Sequence, residues 1–133
     1  MDSKESPAVL VIANDEEAVV RAVSSTLQKA GFDVTSAPSG ISALERCRHG
    51  DLSPELAVID TTTPGIDLPD LVAQLHQISP NLRVLFLSSD SPNEVVRGVR
   101  ARWRGRCLLK PFRRSQLLGQ VLALMDESLV LTA

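Results

Sequence analysis

Short aliphatic runs alternate along this chain with stretches in which apolar residues recur every three or four positions. The runs are Ala8–Ala13, Phe32–Ser36, Leu56–Asp60, Leu82–Ser88 and Arg106–Leu109. Four of them are dominated by Val, Ile and Leu without polar alternation, which suits strands covered on both faces. Between them, Ala18, Ala22, Val23, Thr26, Leu27 and Ala30 trace one helical stripe that stops at Gly31, a natural left-handed terminus. Ser39 caps a second helix carrying Ile41, Leu44 and Cys47 up to Gly50. Leu68, Leu71, Val72, Leu75 and Ile78 form a third, ended by Pro80. Pro92 opens a fourth with Val95, Val96 and Val99, and Leu117, Leu118, Val121, Leu122 and Met125 mark a fifth. Five strands alternating with five helices predict an α/β fold on a parallel sheet.

The length of 133 residues suits one domain, expected over 8–126, with a disordered leader at 1–7 and a tail at 127–133. Aromatics make up only 3%, so the core is aliphatic. A net charge of -2 gives no global basic signature, so contact with nucleic acid would need a local patch. The apolar runs are all shorter than the ~18 residues of a membrane span, and the first residues are polar and acidic. The expectation is a cytoplasmic protein without membrane insertion. Cys47 and Cys107 lack metal-ligand spacing and read as reduced thiols in a helix and a strand.

The polar residues that end the runs change the picture. Asn14 and Asp15 follow the first run, Asp60 closes the third, Ser88 closes the fourth, and Lys110 follows the fifth. In an open parallel sheet these strand ends share one edge, where ligands bind near the reversal of strand order. Two carboxylates with oxygen-bearing neighbours suit a hard cation such as Mg²⁺, which takes one or two protein carboxylates together with phosphate oxygens. Lys110 supplies a counter-charge. A carboxylate is also a nucleophile toward phosphorus, and phosphoryl transfer needs mainly positioning and neutralisation of the phosphoryl oxygens.

The stretches NDEEAV, VIDTTTPGID, LFLSSD and LLKPF, in this order and spacing, resemble the receiver domains of response regulators over roughly residues 8–126. The resemblance implies a doubly wound, flavodoxin-like (βα)5 sandwich with a five-stranded parallel sheet in order 2-1-3-4-5. It implies that Asp60 accepts a phosphoryl group from a histidine kinase or phosphotransfer protein in a two-component phosphorelay. Asp15 and Asp60 would hold Mg²⁺ with the backbone carbonyl of Thr62, and Asn14 would act through a water. Ser88 would contact the phosphoryl group and Lys110 would pair with it, through a cis bond to Pro111. Ser89 leaves room for phosphoryl access, and Thr62 and Asp90 take positions linked to self-hydrolysis. The PNLRVLFLSS and LLKPFRRSQLLGQVLALMD stretches are similar to receivers appended to hybrid sensor kinases.

The pattern departs from the family in places. Asn14 replaces the first acid of its pair, and Cys107 stands where the family usually has the aromatic ring that turns inward on activation. Leu68 and Trp103 replace glycines. An alternative therefore stands beside the phosphorelay reading: a phosphorylation-independent pseudo-receiver acting as a protein-binding module. An aspartate-based hydrolase would need a second acid at position 62, which is Thr62, and the nucleotide loops GxGxxG and GxxxxGK[ST] do not occur.

The resemblance also implies an output face for a downstream protein, built from the fourth helix, fifth strand and fifth helix, and a monomer or weak dimer. The run VRGVRARWRGR around Arg97–Arg106 reads either as a solvated basic face or as a docking patch for an acidic partner. Direct reading of nucleic acid is not expected, since no helix-turn-helix follows. His49 and His76 read as surface residues, and Cys47 as a core residue.

Overall fold

The computed structural model describes residues 7–13, 17–50, 52–63, 66–89, 94–103 and 105–132. Elements alternate in chain order: β1 (Ala8–Ile12), α1 (Glu17–Lys29), β2 (Asp33–Ala37), α2 (Gly40–Arg48), β3 (Leu56–Asp60), α3 (Leu68–Ile78), β4 (Arg83–Ser88), α4 (Glu94–Trp103), β5 (Arg106–Leu109) and α5 (Arg114–Thr132). The strands form one parallel sheet in the expected order β2-β1-β3-β4-β5.

Alternate residues of the central strands feed two separate cores, which is why the strands needed apolar residues at nearly every position. Leu10, Ile12, Ile59 and Phe86 face α2, α3 and α4 through Leu44, Leu71, Leu75 and Val99. Val9, Val11, Val58 and Leu87 belong to the other cluster, which α1 and α5 close with Val23, Leu27, Leu117 and Val121. Burying each large aliphatic side chain contributes about 1.5–3 kcal/mol, so this double layer anchors the strand ends that carry the polar residues.

Local signals explain most boundaries. Ser39 caps α2 by accepting the Ser42 N–H at 3.1 Å, and Gly31 takes φ 99° after α1, a conformation that disfavours any side chain. The second strand is displaced by one residue from the expected Phe32–Ser36: the Phe32 N–H closes α1 on the Leu27 carbonyl, and the Asp33 N–H is the first to reach across, to Pro7. Ala13 and Leu82 fall just outside β1 and β4, the Leu82 N–H being spent in a turn on Ser79.

α5 runs on through Thr132, with no Gly or Pro after Gly119 to stop it. Ile41 and Leu122, which mark the second and fifth helices in the sequence, are 51% and 47% exposed, while Leu124 is fully buried in line with Leu117 and Val121. His76 is not a surface residue. It is half-buried, with Nδ1 3.0 Å from the Val72 carbonyl oxygen and Nε2 2.8 Å from that of Leu82, so it ties α3 to the entry of β4. His49 is exposed and Cys47 buried, as expected.

Candidate functional site

The register of the sheet brings the polar strand ends together. Asp60 lies opposite Leu87, and Ser88 opposite Leu109, so Lys110 emerges one residue beyond the level of Ser88. Two backbone bonds fix these ends: the Thr61 N–H donates to the Leu87 carbonyl at 3.0 Å, and the Lys110 N–H to the Ser88 carbonyl at 2.8 Å. The Lys110–Pro111 peptide is cis, as the resemblance implied.

Asp60 is 1% exposed at the end of a strand buried along its whole length. A carboxylate so placed needs compensation, because an unpaired buried charge costs several kcal/mol on the order of what a whole domain retains as net stability. Lys110 provides it: Nζ lies 2.8 Å from Oδ2, with its side chain 13% exposed. The other oxygen, Oδ1, accepts from the Thr62 N–H at 2.9 Å and from the Thr62 hydroxyl at 2.7 Å. The Thr63 hydroxyl donates to the Ile12 carbonyl at 3.4 Å, joining this loop to the end of β1. Asp60 is thus held by charged and neutral donors on both oxygens, in one orientation, at the mouth of the sheet.

Ser88 is buried, at 8% exposure, and Ser89 exposed. Ser89 lines a groove of about 400 Å³ with Ala18, Val19 and Ala22 of α1 and with Lys110, Pro111 and Phe112. The groove opens beside Lys110 and is walled largely by apolar groups. Cys107 is half-buried on β5 and packs against the core beneath α2–α4. Asn14, Asp15 and Asp90 lie outside the described residues. Sequence reasoning gave Thr62 a carbonyl role and a position linked to self-hydrolysis, and missed the hydrogen bond from its hydroxyl. The signal was present in a hydroxyl residue two positions after a strand-end Asp, the spacing at which side chain and backbone form local hydrogen bonds.

The donor set suits a hard divalent cation: it offers a buried carboxylate among hydroxyl and carbonyl oxygens, with no thiol or imidazole at the strand ends. Among the described residues no group of three or more His, Cys, Asp or Glu gathers to hold a metal. Also among them, no helix is long and apolar enough to cross a membrane.

Residues 10–122 match the response regulator receiver domain, and the chain belongs to that family. Such domains are signalling modules of two-component systems, switched by phosphorylation, that generally bind Mg²⁺ at the phosphorylation site and interact with histidine kinases or phosphotransfer proteins. Among its relatives, the sensor kinase CckA of Brucella abortus (strain 2308) is 28% identical over 120 residues, covering 90% of this chain but 13% of that protein. The response regulator receiver protein CpdR of the same strain is 27% identical over 112 residues, covering 84% of this chain and 92% of its own. The chain spans 52% of the response regulator MprA from Mycobacterium sp. (strain KMS). The crystal structure of a response regulator receiver protein from Sinorhizobium medicae WSM419 superposes with a TM-score of 0.76 at 25% identity, covering 93% of this chain and 98% of that one.

Proposed function

We propose that this chain accepts a phosphoryl group on Asp60 from the phosphohistidine of a histidine kinase or phosphotransfer protein. The observation that carries this reading is the buried Asp60 carboxylate at a strand end, with Lys110 at 2.8 Å on one oxygen and Thr62 on the other. An Asp60 oxygen attacks phosphorus in line as the P–N bond to the imidazole breaks. The imidazole nitrogen keeps that electron pair and is protonated, and the product is an acyl phosphate. Lys110 neutralises charge on the phosphoryl oxygens, and the Ser88 hydroxyl donates to one of them. Asp60, Asp15 and the Thr62 carbonyl, with Asn14 through water, would hold Mg²⁺, which when bound supplies further neutralisation of those oxygens.

The added charge is delivered as a change in the α4–β5–α5 face, which meets a downstream protein. The test is the amide spectrum of the full chain with Mg²⁺ and beryllofluoride, a stand-in for the phosphoryl group. Resonances around Asp60, Ser88 and Lys110 are expected to move, and a spectrum that stays unchanged sinks the reading. One alternative has its own support in the sequence: Asn14 and Cys107 depart from the family at the metal site and the switch position. If the module works without phosphorylation, a partner will bind wild type and Asp60→Ala equally.

A further inference from the structure

Charge is divided along the chain more sharply than its total suggests. Residues 95–125 hold eight of the fourteen Lys and Arg and none of the sixteen Asp and Glu, so the remaining residues carry six cations and all sixteen carboxylates. That stretch covers nearly all of α4, the whole of β5 and the first part of α5. One of the eight, Lys110, is committed inward to Asp60, and the rest are all arginines.

The described arginines of this stretch lie on its three elements and their joins. Arg97 and Arg102 are exposed on α4, and Arg113 and Arg114 are exposed at the head of α5. Arg106 is half-buried on β5, the edge strand, where Nη1 donates to Gln120 Oε1 of α5 at 3.3 Å and braces strand against helix. Leu109, on the same edge strand, is 49% exposed.

Clustered like charges repel, and residues 95–125 contain no carboxylate, the nearest in sequence being Glu94 at the head of α4 and Asp126 further along α5, so an anionic partner meets a face of net positive charge. The residue type narrows the partner. Arginine presents a planar fork that matches a carboxylate with two parallel hydrogen bonds, and the exposed leucine offers an apolar contact among the guanidinium groups. A nucleic acid suits this chain less well, because a polyanion extending past the patch meets the rest of the chain, in which fifteen acids besides the buried Asp60 outnumber six bases.

We propose that the α4–β5–α5 face docks an acidic protein segment that also carries apolar side chains. This rests on the reading of that face as the output surface and adds the chemistry of its partner.

The experiment titrates the isotope-labelled full chain with a short synthetic helical peptide bearing Glu on one face and Leu on the other. Its Gln-for-Glu counterpart and random-sequence duplex DNA serve as comparisons. The Glu peptide is expected to shift amides of α4, β5 and α5, and to weaken with added salt. The double reversal Arg97→Glu/Arg113→Glu should weaken it about tenfold or more, and Lys29→Glu/Arg46→Glu, with the same change in net charge, less than about twofold. Circular dichroism checks that both variants fold. Shifts confined to another face, equal losses in the two double variants, or tighter binding of the DNA would overturn the proposal.

Repeating the titration with Mg²⁺ and beryllofluoride separates the two readings. Peptide binding at this face without any response around Asp60 supports the partner chemistry and removes the phosphoryl switch. A response at Asp60 with no peptide binding in either state overturns the partner chemistry and leaves the switch standing.

Discussion

Thr62 reaches Asp60 twice, its amide N–H and its hydroxyl both donating to Oδ1, at 2.9 and 2.7 Å. The residue that follows Asp60 by two positions therefore occupies lone pairs that an incoming cation would also need. In Thr62→Val the amide bond stays and only the hydroxyl is lost. Stability is expected to fall by about 1 kcal/mol, the net worth of one hydrogen bond, as measured by urea denaturation. Mg²⁺ affinity is expected to rise, because one competitor for Oδ1 has gone. A calorimetric titration showing weaker Mg²⁺ binding would mean that the hydroxyl orients the carboxylate for the metal instead of competing with it.

On the opposite oxygen, Lys110 is the counter-charge of a carboxylate that is 1% exposed. Lys110→Ala leaves that charge buried without its cation and should cost about 3–5 kcal/mol, the usual penalty for breaking one side of a buried pair. Asp60→Asn/Lys110→Ala removes both charges and should recover a large part of that loss. If the double variant is no more stable than Lys110→Ala alone, the two side chains are not energetically coupled.

Much of this arrangement was legible in the sequence because the central strands are buried on both faces. VLVI, LAVI and VLFL could satisfy that environment only as strands, and a polar residue ending each run had to mark the sheet edge. Sequence patterns did not reveal features that depend on what an element packs against. Ile41 satisfies helical periodicity yet is exposed, the buried face of α2 being made by Gly40, Ala43, Leu44 and Cys47. His76 meets one carbonyl within its own helix, at Val72, but its second belongs to Leu82 at the entry of β4, which helical periodicity does not reveal. The far end of α5 carries no Gly or Pro after Gly119, so nothing in the sequence marks where that helix stops.

Gly40 marks a close approach of two elements. A Cβ added there would lie 2.5 Å from Ile66 Cγ2 and 3.1 Å from Leu71 Cδ2. The nearer atom sits on a β-branched side chain and has little freedom to move aside. Gly40→Ala gains helix propensity at the start of α2 but overpacks this junction, and a net loss of about 1–3 kcal/mol is expected by thermal or urea unfolding. A stabilised variant would show that the loop carrying Ile66 yields readily.

Burial pushes the Cys47 thiol above its ordinary range, opposed in part by the Arg46 guanidinium. In the folded protein Cys47 therefore keeps its proton to higher pH than in the unfolded chain. The sign follows from linkage: the native state binds more protons, so this contribution is fully present below the unfolded thiol pKa and declines as pH rises above it. Cys47→Ala should flatten that alkaline decline in urea midpoints, although the cavity lowers stability at every pH. In native protein near neutral pH, Cys107 should react first with a thiol reagent, because it is half-buried and Cys47 is buried. Faster labelling of Cys47 would contradict the packing of α2 on the sheet.

Asn14 is where the proposed metal site departs most plainly from the family pattern, with an amide in place of the first acid of the pair. The resemblance puts that side chain one water away from the cation, where an amide oxygen still accepts a hydrogen bond but contributes no negative charge. Divalent affinity at oxygen sites depends on the count of ligand charges, so Asn14→Asp should tighten Mg²⁺ binding severalfold and speed phosphorylation by a small phosphodonor at limiting Mg²⁺. At saturating Mg²⁺ the two proteins should converge, because the substitution acts on occupancy rather than on the attack by Asp60. A rate difference that persists at saturation would place Asn14 in the transfer itself. If the affinity does not change, the water-mediated role assigned to this residue is wrong.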